Sequence, residues 1–121
     1  MLEKLNDWIK KWIYKLVFDK WHNFKRGIQN LLVWVPVIWR DRQWDHTYIY
    51  EIFKHKLHLT EQFIRHNGIH VNNVKDADEI MVCVNALNNL IEDNYHEEAF
   101  RKYDLELTFN QMRDKIQGWW D

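Results

Sequence analysis

The sequence predicts an all-α fold, a compact bundle of four to five helices forming one domain over residues 1–121, and three observations carry that reading. Only three Gly and one Pro serve 121 residues, too few turn formers for a many-stranded β fold. Apolar residues recur at steps of three and four over long stretches, the period of an amphipathic helix. A hydrophobic content of 46% beside 29% charged residues is that of a globular chain long enough to bury a core. Eight Trp, six Phe and five Tyr carry more aromatic surface than one small core can hide, so the bundle is expected to be a homo-oligomer.

Taken in order, residues 2–25 place Leu2, Leu5, Ile9, Trp12 and Leu16 on one helical face, widened by Trp8, Ile13, Val17, Trp21 and Phe24. This basic amphipathic helix, residues 1–26, is expected to end at Gly27, with residues 28–121 forming the core. Residues 28–45 read as a short helical piece bent by Pro36. Asp45 has the side chain to accept from the free N–H groups of a helix start, and a helix follows over 46–66, stopped by a left-handed turn at Asn67-Gly68. After a polar connection over 71–74, the next helix starts near Asp76 and carries Ala77, Ile80, Met81, Val84, Leu87, Ile91 and Tyr95 on one face. The last helix, over 103–120 after a break within 94–100, aligns Leu105, Phe109, Met112, Ile116 and Trp119 as the seam for a partner helix. With Trp12, these residues form the expected oligomer interface.

The net charge of −1 hides a gradient. Residues 1–26 carry +4 and residues 92–121 carry −4, ends that complement one another within or between copies and leave nucleic acid disfavoured as a partner. Lysines opposite tryptophans on the first helix also suit a membrane surface. Acids among those lysines make a core or subunit-interface helix the favoured reading. The longest apolar run, over 31–39, falls short of the roughly 20 residues a membrane span needs. The lone Cys83 and the absence of an apolar leader suggest a reducing cytosolic setting.

Catalytic chemistry finds no footing. The chain has no serine, Thr47, Thr60 and Thr108 lack a flanking signature, and Cys83 lies on an apolar face where a thiol is a small hydrophobe. Gly27, Gly68 and Gly118 are too far apart for a phosphate loop. Glu51, His55 and His58, at i, i+4 and i+7, are weak metal candidates, lacking any established ligand motif and read first as a solvated or partner-facing surface. No cofactor is expected, and the protein is read as no enzyme. What stands out is the segment over 33–45, with Trp34, Trp39, Trp44, Arg40 and Arg42, because Trp and Arg gain much contact for little entropy lost and recur as binding hot spots. Bracing of the fold by the arginines, with Asp41, Asp45 or acids of the last helix, is the competing role, with at least two of the tryptophans in the core.

Trp39-Arg40-Asp41-Arg42-Gln43-Trp44-Asp45, with Ala77-Asp78-Glu79-Ile80, Leu90-Ile91-Glu92-Asp93 and the terminal Trp119-Trp120-Asp121, resembles small uncharacterised proteins of tailed bacteriophages that carry a Trp-x-Asp-Arg-x-Trp-Asp segment and a Trp-Trp-Asp end. The resemblance covers residues 30–121 and assigns no functional residue. It implies a viral gene product acting in the cytoplasm of an infected bacterial host cell. The expectation is then a non-enzymatic protein that binds and blocks or sequesters a host antiviral-defence component, either a protein effector or a small nucleotide signal. A structural or assembly oligomer of the phage is the alternative.

Overall fold

The computed structural model describes residues 2–68 and 71–119, and among them every regular element is helical. Four α-helices follow one another: α1 (Leu2–Arg40), α2 (His46–Asn67), α3 (Asn73–Glu92) and α4 (Glu98–Lys115), the last continued by a 3-10 turn over Ile116–Gly118. The chain divides into two compact units, residues 1–40 and 41–121.

The first unit is α1 itself, 39 residues long and unbroken through Gly27 and Pro36. That corrects both the expected stop at Gly27 and the separate piece over 28–45. Glycine inside a helix costs only about 1 kcal/mol relative to alanine, which good helix formers on either side outweigh. Pro36 removes one donor, yet it sits in the penultimate turn, where few bonds remain to be lost. Arg40 Nε donates to the Pro36 carbonyl at 3.1 Å, which lays its side chain back along the last turn.

In the second unit α3 is the middle layer, packing on α2 to one side and α4 to the other. Of the stripe the sequence predicts, Ala77, Ile80, Val84 and Leu87 are buried, with Cys83, Ala86 and Leu90 beside them, Met81 and Ile91 are half-buried, and Tyr95 falls after the helix in the connection to α4. Leu57 and Ile64 of α2 and Trp119 complete the cluster, and Tyr50, Phe53, Met81, Tyr95, Leu105 and Met112 pack around it. Phe53 and Phe109 meet edge to face at 6.3 Å between ring centroids, joining α2 to α4. Polar ties cross the α2–α3 contact as well. Lys54 Nζ donates to Asn88 Oδ1 at 2.8 Å, and Arg65 links the buried Glu61 to Asp78 of α3.

Helix ends depart from expectation for identifiable reasons. α3 starts at Asn73, three residues before Asp76, and α4 starts at Glu98, before Tyr103, with the break confined to residues 93–97. Gly68 has φ −69°, so the left-handed stop at Asn67-Gly68 is not formed. What the site demands is closeness: a Cβ there would fall 2.4 Å from the Ile64 carbonyl oxygen and 2.6 Å from Asn73 Cβ. Gly68→Ala is therefore expected to lower the melting temperature by about 5 °C or more, read by circular dichroism. Asn, which a left-handed site would tolerate, should fare no better than Ala. The left-handed residue is instead Asp93, φ 53°, which ends α3.

Candidate functional site

The segment that stands out in the sequence is divided by the boundary between the units, with Trp34, Trp39 and Arg40 on α1 and Arg42, Trp44 and Asp45 in the second unit. Within the second unit the geometry follows from Asp45. Its backbone amide donates to the Arg42 carbonyl at 3.1 Å, closing a turn over Arg42-Gln43-Trp44-Asp45. Its carboxylate accepts from the Thr47 amide at 3.0 Å and caps α2, as its side chain predicts. That amide bond, helped by His46 and Arg42, holds the Asp45 carboxyl below its ordinary value. The cap is therefore intact above the usual carboxylate range and is lost as pH falls through the lowered value.

The turn sets Trp44 at its third position, 84% exposed, and Trp39 on the last turn of α1 is 86% exposed. Neither ring is in the core, which corrects the expectation that at least two of the three tryptophans are core residues. Trp34 is half-buried. Arg40 has its Pro36 carbonyl and Arg42 its electrostatic effect on Asp45. Among the described residues Arg42 forms no ion pair with acids of the last helix, where Glu98 pairs with Arg101 and Asp114 with Arg113.

The expected interface residues separate into two groups. Leu105 and Met112 pack against the core of their own chain, and Trp119 is part of it, its Nε1 donating to Glu79 Oε2 at 3.2 Å. α3 thus occupies much of the seam that the last helix seemed to offer a partner. Phe109, Ile116 and Trp12 remain exposed. Trp120 and Asp121 of the terminal motif lie outside the described residues, as does His70.

Glu51, His55 and His58 share a half-buried flank of α2. His58 Nε2 lies 3.2 Å from Gln62 Nε2, while its buried Nδ1, 3.9 Å from Glu61 Oε2, is beyond hydrogen-bond distance of that carboxylate. Among the described residues no group of three His, Cys, Asp or Glu is placed to hold a metal ion.

Sequence reasoning missed a polar cluster at the α3–α4 connection. Arg101 donates from Nε and a terminal nitrogen to Asp93 Oδ1 at 2.9 and 2.6 Å, pairs with Glu98, and stands 5.6 Å from the Tyr95 ring centroid. Tyr95 donates its hydroxyl to Asp104 at 2.5 Å, and burial together with that carboxylate raises its pKa. The only signal was an acid at a helix end with an arginine eight residues on, across a loop whose path the sequence does not give. Beside it, Asp93, Arg101 and Leu105 face His46 and Tyr50 across a cleft of about 90 Å³. That holds a few waters and is well below the 300 Å³ or so of a ligand pocket. A cleft of about 230 Å³ between Tyr103, Glu106 and Asn110 of α4 is larger but open.

Cys83 is buried, its Sγ 3.8 Å from the Thr108 carbonyl oxygen, and burial followed by the charge of Glu79 pushes the thiol up to about 11. At pH 8 it should react with iodoacetamide about 100-fold more slowly than an ordinary thiol, recovering full reactivity in denaturant, as mass spectrometry would register. Because the native value is raised, its contribution to stability is complete below pH 9 and is lost as pH rises through about 11.

The chain matches no protein-family model, no curated protein and no solved structure. No helix among the described residues is long and apolar enough to cross a membrane.

Proposed function

We propose that this is a non-enzymatic binding protein that blocks or sequesters a host antiviral-defence component in the cytoplasm of an infected bacterial cell. The observation that carries the binding role is the exposure of Trp39 and Trp44 beside Arg40 and Arg42 in the sequence. Two rings so exposed forgo most of the burial that tryptophan usually gains on folding, and a partner restores it. The viral setting rests on the resemblance carried by residues 39–45, 77–80 and 90–93. A protein effector suits these side chains better than a nucleotide, because each ring, 86% and 84% exposed, lies open to solvent. The test is capture of partners by the tagged protein from infected cells, alongside mixing with cyclic nucleotides, re-isolation, heat release and analysis. A defence protein captured by the native chain and lost from a Trp39/Trp44 double variant is the expected result. Release of intact nucleotide would mean a sequestered signal, and release of cleaved product would mean an enzyme.

A structural or assembly oligomer of the phage is the second reading, favoured by the exposed apolar side chains of α1 and by Phe109 and Ile116 on and after α4. Under it, light scattering gives an oligomer at micromolar concentration that charged residues at Phe109 and Ile116 dissociate, and capture yields virion components only.

A further inference from the structure

From Leu2 to Val33 every side chain of α1 is exposed, so the apolar face of this helix forms no core. At 3.6 residues per turn the first half is sharply two-sided. Leu2, Leu5, Ile9, Trp12 and Leu16 make the central apolar row, and Ile13 and Val17 widen it on one side. On the other side runs a row of Lys4, Trp8, Lys11 and Lys15, with Lys10 at the far border. Glu3 and Asp7 fall with Tyr14 on the row opposite the apolar centre. Glu3 and Asp7 are therefore among the side chains farthest from the apolar row, Asp19, seven residues after Trp12, borders it, and lysines line its edges.

Charge decides between the occupants of this face. Residues 1–40 hold eight Lys and Arg against three acids, +5, while residues 41–121 hold nine against fifteen, −6. A second α1 would set +5 against +5, and in a parallel pair the lysine row would border the seam, where paired helices need opposite charges. An anionic bilayer meets the same face with complementary charge. Its interface also accommodates the tryptophans, and its boundary region takes up the apolar row to the depth of a helix lying flat. The acidic second unit is repelled by such a surface, which confines contact to α1.

We infer that α1 is a membrane-surface helix that lies on anionic lipid through its Leu2–Leu16 apolar row and its bordering lysines. This stands independently of the role assigned to Trp39 and Trp44. The test is co-sedimentation of the full chain with vesicles of phosphatidylcholine containing phosphatidylglycerol, against phosphatidylcholine alone. Binding to the anionic vesicles should be at least about tenfold stronger and should weaken with salt. The triple variant Lys4→Glu, Lys11→Glu, Lys15→Glu should lose at least about tenfold on anionic vesicles. Ile9→Asp should lose binding to both. None of these residues belongs to the core of residues 41–121, so an unchanged thermal melt certifies the second unit of each variant as folded, and an unchanged helical circular-dichroism signal does the same for α1. Equal binding to both vesicles, or indifference to the charge reversals, would overturn the inference. So would an oligomer by light scattering whose α1 amides are protected from exchange without lipid, which would make a second copy the occupant.

Discussion

Leu87→Ala should lower the unfolding free energy of the second unit by about 3 kcal/mol, within the 2–5 kcal/mol that leucine truncations cost at sites unable to collapse. Leu87 has no exposed surface, and α3 carries it between α2 and α4, so no side of the resulting cavity is open to water or to a mobile loop. Ile64, Ile80 and Val84 around it are themselves buried and have little freedom to close the gap. Urea unfolding followed by circular dichroism reads the effect as a shift in midpoint at constant slope. Leu5→Ala on α1 provides the contrast. Leu5 is 54% exposed, and its loss should change the same transition by less than about 0.5 kcal/mol. A small effect at Leu87, or a large one at Leu5, would contradict the division between an α3-centred core and a helix whose apolar residues serve another purpose.

The same contrast shows what the sequence could and could not convey. The stripe of α3 was legible because one helix face had to be apolar throughout to sit between two others. The Asp45 cap was legible because its chemistry is local. The end of α1 was misread, since Gly27 and Pro36 are local signals and the helix continues on the summed preference of its neighbours. The seam Leu105–Trp119 was recognised as a seam, but periodicity says only that a face is covered. Whether α3 or another chain covers it depends on how the loop at 93–97 turns, and that rests on the left-handed Asp93 and its bonds to Arg101. Trp39 and Trp44 carried the opposite ambiguity. Their type favoured either a core or a binding surface, and only their position at a helix end and in a turn separates the two.

Replacing Trp39 and Trp44 together with alanine should weaken capture of the partner by about 1000-fold, about 2 kcal/mol for each ring as at interface hot spots. The melting temperature should stay within 2 °C or so, because truncating a ring at 86% or 84% exposure leaves no cavity. Thermal melts and quantitative capture on the same preparations separate the two quantities. The arginines make the sharper comparison. Arg40→Ala removes the bond to the Pro36 carbonyl, so some loss of α1 helicity is expected whatever else Arg40 does. Among the described residues the Arg42 side chain bears on the fold through the charge it places near Asp45, and that carboxylate keeps its Thr47 amide without it. Arg42→Ala should therefore melt normally. If its guanidinium meets a carboxylate or phosphate of the partner, two parallel bonds are lost at once and capture falls at least tenfold, with Arg42→Lys restoring only part of it because a point charge cannot form the fork. Full capture by both single arginine variants would assign them to bracing alone and leave the binding surface to the two tryptophans.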